Sequence, residues 1–599
     1  MKGAFANRPS PCKSAAMCGI AGIFRRAEAG ADPATLQILA QALVHRGPDS
    51  TDPWIEGPIA LLSDRLAIMD LEGGDQPLYG AQGSVLVANG EIYNNPDLRA
   101  EFAGYAFKTG SDCEPAALLY ERDGPGYARR LRGMYAIAIW DPAAQRLVLS
   151  RDPFGIKPLY YIENDDGFFF ASEPQALIAA GLAKAEVDDA RRDELLQLKY
   201  TVGQKTIFKT IERVLPGETL VVEDGRITGR LRIEAFPAPA GRLQPDEALS
   251  GFDRVMIDSV EQHLHTDVPY GLFLSGGIDS SILLLLMQRL SRTPIRAITV
   301  GYAGDPRMDE SRAALAFAER HGAECRRVEM GPDDFFALAP RIAAALDDPT
   351  CDPAVLPTYV LGRAARADPL KVVLCGEGAD ELFGGYRRYR FGGLRALVGS
   401  PARRGVFEKL GLHIRPGWRS ELEAVEARMR QRWSSHATRV QATDVEEALP
   451  NNLLLKLDRC LMINSVEGRT PYLDPEVARF AAGLPESLKT QGDLGKIVMR
   501  RWLAKADPQY PAMAKKRGFN TPVGGWIAAR ADQIAPLVAR QPGIRALFDA
   551  DTAQGIIRAA ARQDQPAWSL LFYALWHATR VLGLAADGDI TAVLSEAAG

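Results

Sequence analysis

The stretch Tyr270–Ser281, YGLFLSGGIDSS, gathers residues that can do chemistry at one point of the chain. An apolar run, Val268 to Leu274, reads as a buried parallel strand; it breaks at Ser275-Gly276-Gly277, and a helix opens at Asp279-Ser280-Ser281. Two glycines and hydroxyls at a helix mouth make an anion cradle. Backbone N–H groups can turn inward with no Cβ in the way, and the helix dipole favours negative charge. The chain has no G-x-x-x-x-G-K-[ST], and Asp279 stands where that loop carries lysine. The oxygens bound here are therefore expected to arrive with Mg²⁺. A second acidic, glycine-rich stretch, Cys375–Tyr386, follows another apolar strand, Lys371–Leu374. Far upstream, Met17-Cys18 opens a third apolar run that ends at Phe24.

S-G-G-x-D-S after an apolar strand resembles the PP-loop of ATP pyrophosphatases, which adenylate a substrate and release pyrophosphate. Residues 375–386, CGEGADELFGGY, closely resemble the S-G-E-G-x-D-E-L-F-G-G-Y signature of glutamine-dependent asparagine synthetases, with Cys375 where the family usually has serine. The opening Met17-Cys18-Gly19-Ile20-Ala21-Gly22 resembles that of class II glutamine amidotransferases, whose nucleophile is the cysteine exposed by methionine removal. Residues 1–17 would then be a disordered extension or a mis-assigned start. A free α-amine, with an ordinary pKa near ~8, is a base matched to neutral pH on the same residue as the thiol.

Further matches follow in family order: His45-Arg46-Gly47-Pro48-Asp49, Arg65-Leu66-Ala67-Ile68-Met69-Asp70, Gln76-Pro77, Asn89-Gly90-Glu91-Ile92-Tyr93-Asn94 and Ser111-Asp112-Cys113-Glu114. The resemblance implies that Arg65 clamps the glutamine α-carboxylate, as a planar guanidinium can do with two parallel bonds. It gives the Asn89 side chain and the Gly90 N–H the oxyanion hole, pairs Asp112 with the α-ammonium, and lines the pocket with Leu66, Ala67, Ile68, Met69 and Glu91. For ATP it implies Leu274, Ser275, Gly276, Gly277, Asp279, Ser280, Val300, Cys375, Gly376, Asp380 and Lys496. Asp279 and Asp380, on facing loops, suit Mg²⁺ as a hard cation bridging phosphate oxygens, and Glu377 is the candidate base for the incoming amine. Arg151–Tyr161 and Phe170–Glu173 resemble segments joining the two halves. Lys456–Arg459, Glu467–Asp474, Gly495–Arg500 (with the phosphate-meeting Lys496) and 515–522 complete the set.

These residues need elements to hold them. A helix is expected over Pro33–Val44, and short alternating runs at Tyr135–Asp141, Arg146–Arg151, Leu159–Glu163 and Gly167–Ala171 read as strands, followed by a hairpin from Val214. The Pro/Ala/Gly stretch Pro237–Arg242 is the best linker. Beyond it, strand and helix alternate: helices over Asp246–His263, Glu310–His321, Asp333–Leu346 and Pro353–Ala367, with strands at Ile295–Val300, Cys325–Val328 and Lys371–Leu374. That alternation predicts a doubly wound parallel sheet with both glycine loops at strand C-terminal ends. From Tyr389 to about residue 450 the chain reads as helical and basic, without chemistry.

At 599 residues the chain is too long for one core. Its formal charge of −4 offers no basic excess for nucleic acid, and no apolar run is long enough to span a membrane. Seven scattered cysteines without C-x-x-C spacing fit reduced thiols in a cytoplasmic protein. The expected architecture is an α/β protein of two domains. An N-terminal Ntn-hydrolase-type αββα sandwich, 18–236, precedes a 237–245 linker and a synthetase domain, 246–590, of the ATP pyrophosphatase type with a helical C-terminal region. The resemblance implies glutamine, aspartate and ATP as substrates. The same chemistry on a sugar acid, peptide or natural-product carboxylate stays open, as does assembly into a homodimer. A ring-closing relative has little need of Cys18, Arg65, Asn89 and Asp112, and a retired scaffold would show decayed phosphate loops.

Overall fold

A computed structural model describes the chain except residues 1–17, 27–29, 48, 239–240, 242, 304–308, 391–403, 413, 415, 516–520 and 598–599. The N-terminal extension, Pro48, part of the linker and most of the 515–522 motif therefore lie outside the described residues.

Two antiparallel six-stranded sheets form the N-terminal half. One runs, in spatial order, Glu212–Arg213, Tyr160–Asn164, Gly167–Ala171, Gly19–Arg25, Ile59–Arg65, Ser50–Glu56. The other runs Arg226–Arg232, Glu218–Glu223, Arg146–Arg151, Gly133–Asp141, Val85–Ile92, Leu78–Tyr79. Strand alternation decides the layers, because successive side chains point to opposite faces. Ile20, Phe24, Ile59 and Leu61 meet Val85, Val87, Trp140 and Leu149 between the sheets, with Phe24 and Trp140 packed edge to face at 5.2 Å. Ala21 and Ile23 point the other way, onto Leu36, Leu39 and Leu43 of the helix Pro33–Leu43. That helix starts where it does because Asp32 caps it, accepting from the amides of Ala34 and Thr35 at 3.1 Å, with Pro33 in its first turn. Outside the second sheet, Leu86, Ala88 and Ile137 pack on Ala116, Leu119 and Tyr120 of the helix Glu114–Asp123. The result is helix, sheet, sheet, helix.

The C-terminal half is built on a five-stranded parallel sheet ordered Glu324–Met330, Arg296–Tyr302, Tyr270–Phe273, Val372–Leu374, Glu467–Arg469. Its last strand was not expected from the sequence. One face, with Leu272, Leu274, Ala297 and Val372, is covered by Ala248–His263, Ile278–Leu290 and Ser311–Arg320. The other, with Ile298 and Val373, is covered by Val355–Ala367 and Leu455–Met462. Strand order reverses between Tyr270–Phe273 and Val372–Leu374, which pair directly (Leu272 with Leu374). Ligands of such sheets bind in that crevice, and both glycine loops leave from it. Beyond Ser420 the described residues are mostly helical, with short strands between, and Trp568, Trp576 and Ile557 join the apolar cluster that begins at Ala21 and Leu36. One buried cluster thus runs from the first half into the C-terminal helices. Among the described residues no helix is long and apolar enough to cross a membrane.

Candidate active sites

Register brings the first site together. Gly19 pairs with Asp64, so Cys18 sits at the strand end beside Arg65 and Leu66. The half-buried Cys18 thiol accepts from the Leu66 amide at 3.4 Å and lies 3.8 Å from the Leu66 carbonyl. Removal from water pushes that thiol up to about 12 despite the Leu66 N–H and the nearby Arg65 charge. With Met17 attached, none of the described side chains hydrogen-bonds the thiol as a base.

Asn89, Gly90 and Glu91 lie on Val85–Ile92, where Asn89 pairs with Ala136 and Gly90 with Tyr135. Both polar atoms of the fully buried Asn89 side chain lack a hydrogen-bond partner among the described residues. Such a group costs about 1–3 kcal/mol unless something fills it, which marks it as poised for a ligand. Gly90 has φ +152°, and a Cβ there would lie 2.0 Å from the Met134 carbonyl, so the close backbone approach admits glycine alone. Asp112 is buried, accepts from the Ile92 amide at 2.5 Å, and is raised above the usual carboxylate value mainly by burial. Arg65 is held by Asp75 at 2.9 Å and by the carbonyls of Met69 and Asp70 at 3.0 and 2.6 Å. Its guanidinium is thus aimed by its own loop. Leu66, Ala67 and Ile68 are buried.

The other half of the molecule supports this loop. Lys371 Nζ donates to the Ala67 carbonyl at 3.2 Å, Asp267 accepts from the Asp70 amide at 2.9 Å, and the Asp267 amide donates to the Ile68 carbonyl at 3.1 Å. The unexpected strand Glu467–Arg469 closes the wall. Arg469 bonds Glu467 at 2.7 Å, lies 3.4 Å from Glu91, and donates to the carbonyls of His263 and His265. Lys157, in the segment expected to join the halves, reaches Glu467 at 3.3 Å. Tyr93 and His263 pack against each other within this wall, ring centroids 4.2 Å apart and planes tilted by 39°; Tyr93 Oη and His263 Nε2 are buried and lack a hydrogen-bond partner among the described residues. Burial lowers His263 to about 3, so it is neutral.

In the second site the loop after Tyr270–Phe273 closes on itself: the Ser275 amide donates to Ser280 Oγ at 3.1 Å. Gly276 has φ +75°, and Tyr510 Oη donates to its carbonyl at 2.9 Å. Tyr472 Oη donates to the Asp279 carbonyl at 2.9 Å. The two glycine loops touch, since a Cβ on Gly376 would lie 3.0 Å from Asp279 Cβ. Lys496 Nζ, in a left-handed residue at a helix start, meets Asp279 at 2.7 Å and Asp380 at 2.8 Å. Its buried ammonium loses hydration, but the two carboxylates more than offset this and raise it. Gly385 packs against this triad. Two carboxylates converging on one cation-sized position fit a divalent ion as well as an ammonium; among the described residues no group of three or more metal-ligating side chains exists. Leu274 is buried, its amide donating to Ile298, and Val300 is buried in the neighbouring strand.

Glu377 is half-buried beside this triad; burial raises its carboxyl, Lys456 pulls it down, and Asp279 pushes it up again. The Cys375 thiol is buried with Val373, Leu457 and Leu461 and points at the Val373 carbonyl at 3.8 Å, away from solvent. Any contact at that position falls to its backbone. Sequence reasoning missed Gly385, Tyr472, Tyr510, Tyr93 and His263 as site groups. It assigned no role to Arg469, whose partners Glu91, His263 and His265 are remote in the chain.

Comparison with known proteins agrees in both halves. The asparagine synthase family model matches residues 251–578, and a glutamine amidotransferase domain model matches residues 17–232. The chain is 29% identical to asparagine synthetase (glutamine-hydrolyzing) 1 of Bacillus subtilis, over 94% of this chain and 97% of that one. It is 32% identical to a putative asparagine synthetase (glutamine-hydrolyzing) of Mycobacterium tuberculosis, over 92% of this chain and 94% of that one. With asparagine synthetase B (glutamine-hydrolyzing) of Escherichia coli it shares 31% identity over 62% of this chain and 65% of that one.

Proposed function

The chain belongs to the asparagine synthase family, and on that premise we propose that it is a glutamine-dependent asparagine synthetase. With Cys18 at the N-terminus, its α-amine takes the thiol proton and Sγ attacks the glutamine side-chain carbonyl. Asn89 Nδ2–H and the Gly90 N–H stabilise the oxyanion, Arg65 and Asp112 hold the α-carboxylate and α-ammonium, ammonia leaves, and water hydrolyses the thioester to glutamate. At the second site ATP lies across the 275–281 and 375–386 loops. The acceptor, the aspartate side-chain carboxylate, attacks the α-phosphorus and expels pyrophosphate. Ammonia then attacks the acyl-adenylate, Glu377 takes the surplus proton, and AMP departs to leave asparagine. Mg²⁺ would be held by Asp279 and Asp380 and would neutralise charge on the phosphate oxygens.

One observation carries this reading. Arg469 borders both sites: its carbonyl accepts from the Cys375 N–H of the second glycine loop at 2.8 Å and its side chain lies 3.4 Å from Glu91 of the first site, which supports passage of ammonia along this wall. Tyr93 Oη and the neutral His263 offer that path polar contacts without a readily donated proton. Incubation with ATP, glutamine and a panel of carboxylates, following AMP and amide, tests the acceptor. Aspartate should give one amide per AMP; turnover with another carboxylate and not aspartate would reassign the substrate.

A further inference from the structure

Arg46 belongs to the glutaminase half, is fully buried, and takes its bidentate partner from the other half. Its two terminal nitrogens bond both carboxylate oxygens of Asp458 at 2.8 and 3.0 Å, and one of them also bonds Glu173 at 2.7 Å. Its remaining edge is turned to the nucleophile: Nε donates to the main-chain carbonyl of Cys18 at 3.4 Å. Asp458 sits on the helix Leu455–Met462, and Arg459 beside it bonds Asp347 at 2.8 Å and Asp458 at 3.0 Å. His45 lies 3.1 Å from the same Glu173 that Arg46 uses.

A planar guanidinium gripped by a carboxylate fork has one orientation, so the fork decides where Nε points. The bond to the Cys18 carbonyl is long, and a small rotation of Arg46 would break it. Among the described residues Arg46 is the donor to that carbonyl. We propose that Asp458, from the synthetase half, is a positioning residue for the glutaminase: it aims Arg46 so that the Cys18 backbone, and with it the amine and thiol, is held for attack. This rests on reading Cys18 as the nucleophile. It also makes the glutaminase geometry depend on docking of the two halves.

The test compares wild-type and Asp458→Asn full-length enzyme in three assays: glutamine hydrolysis, ammonium-driven AMP formation, and the rate of Cys18 alkylation by iodoacetamide. The expected result is a loss of about 10- to 100-fold in kcat for hydrolysis, the scale of a catalytic group misplaced by ~1 Å. The glutamine KM should stay within about threefold, alkylation should slow in parallel, and ammonium-driven synthesis should stay within about twofold. Hydrolysis within about threefold of wild type would overturn the proposal, as would equal loss of both half-reactions. Should the asparagine variant not fold, Asp458→Glu keeps the charge but displaces Arg46, and unchanged hydrolysis there overturns the proposal equally. A wild-type enzyme that does not hydrolyse glutamine would instead sink the reading of Cys18.

Discussion

Replacing Gly385 by alanine puts a methyl group into the centre of the proposed nucleotide site. Its Cβ would stand 1.7 Å from Asp380 Oδ1 and 2.5 Å from Lys496 Cε, where ordinary contact needs roughly twice the first distance. Asp380 must therefore swing away and surrender its 2.8 Å contact with Lys496. A charge-assisted bond of this kind contributes about 1.5–3 kcal/mol, so kcat/KM for ATP should fall about 10- to 150-fold. The glutaminase groups lie beyond the shared wall, and glutamine hydrolysis should stay within about twofold. Pyrophosphate release against ATP concentration reads the first quantity, glutamate formation the second, and a thermal melt checks that the fold survives. If Gly385→Ala leaves ATP use within about threefold of wild type, the Asp279–Lys496–Asp380 triad is not where the triphosphate binds.

Protein that retains Met17 should carry a protonated Cys18 thiol at neutral pH: with its value pushed up to about 12, only ~10⁻⁴ is thiolate at pH 8. Iodoacetamide should therefore label processed enzyme far faster, and full glutaminase activity from the unprocessed form would remove the amine from the mechanism. Glu377→Gln should cut ammonium-driven synthesis by about 10²–10⁴-fold with near-normal ATP KM, the range of general base catalysis. Because burial holds Glu377 above the ordinary 4.5, the acid limb of that reaction in the wild type should lie above pH 4.5 and vanish in the variant. Asp380→Asn should instead weaken ATP use and respond to raised Mg²⁺ in steady-state kinetics. Cys375→Ser should change the ATP KM less than about tenfold, since its side chain faces the Val373 carbonyl inside the apolar cluster; a larger gain in an ATP titration would count against that placement.

The elements proposed to carry chemistry were the most legible ones, because glycine, hydroxyl and acid residues leave few alternatives at a strand-to-helix turn. The strands Arg146–Arg151 and Gly167–Ala171 and the helix ending at His263 lie where their alternation and periodicity put them. Glu467–Arg469 did not read as a strand: three residues, two of them charged, show no alternation, and parallel pairing with Val372–Leu374 imposes the conformation from outside. The same holds for the charges. Arg65 and Asp112 were singled out through their motifs, but the grip of Asp458 on Arg46 and of Arg469 on Glu91 depends on partners hundreds of residues away. Cys375 was placed correctly in its loop, while the direction of its thiol is set by packing on Leu457 and Leu461.

In the proposed reaction nitrogen passes from glutamine at Cys18 to an adenylated carboxylate across the shared wall. This transfer is tested most directly with glutamine labelled with ¹⁵N in the side-chain amide, ATP and aspartate, comparing wild type with Cys18→Ala. The wild type should give labelled asparagine with one AMP for each amide. The variant should give none from glutamine yet make asparagine from added ammonium at a rate close to wild type. Labelled asparagine from Cys18→Ala, or glutamine consumption by the wild type without label in any amide product, would contradict the account.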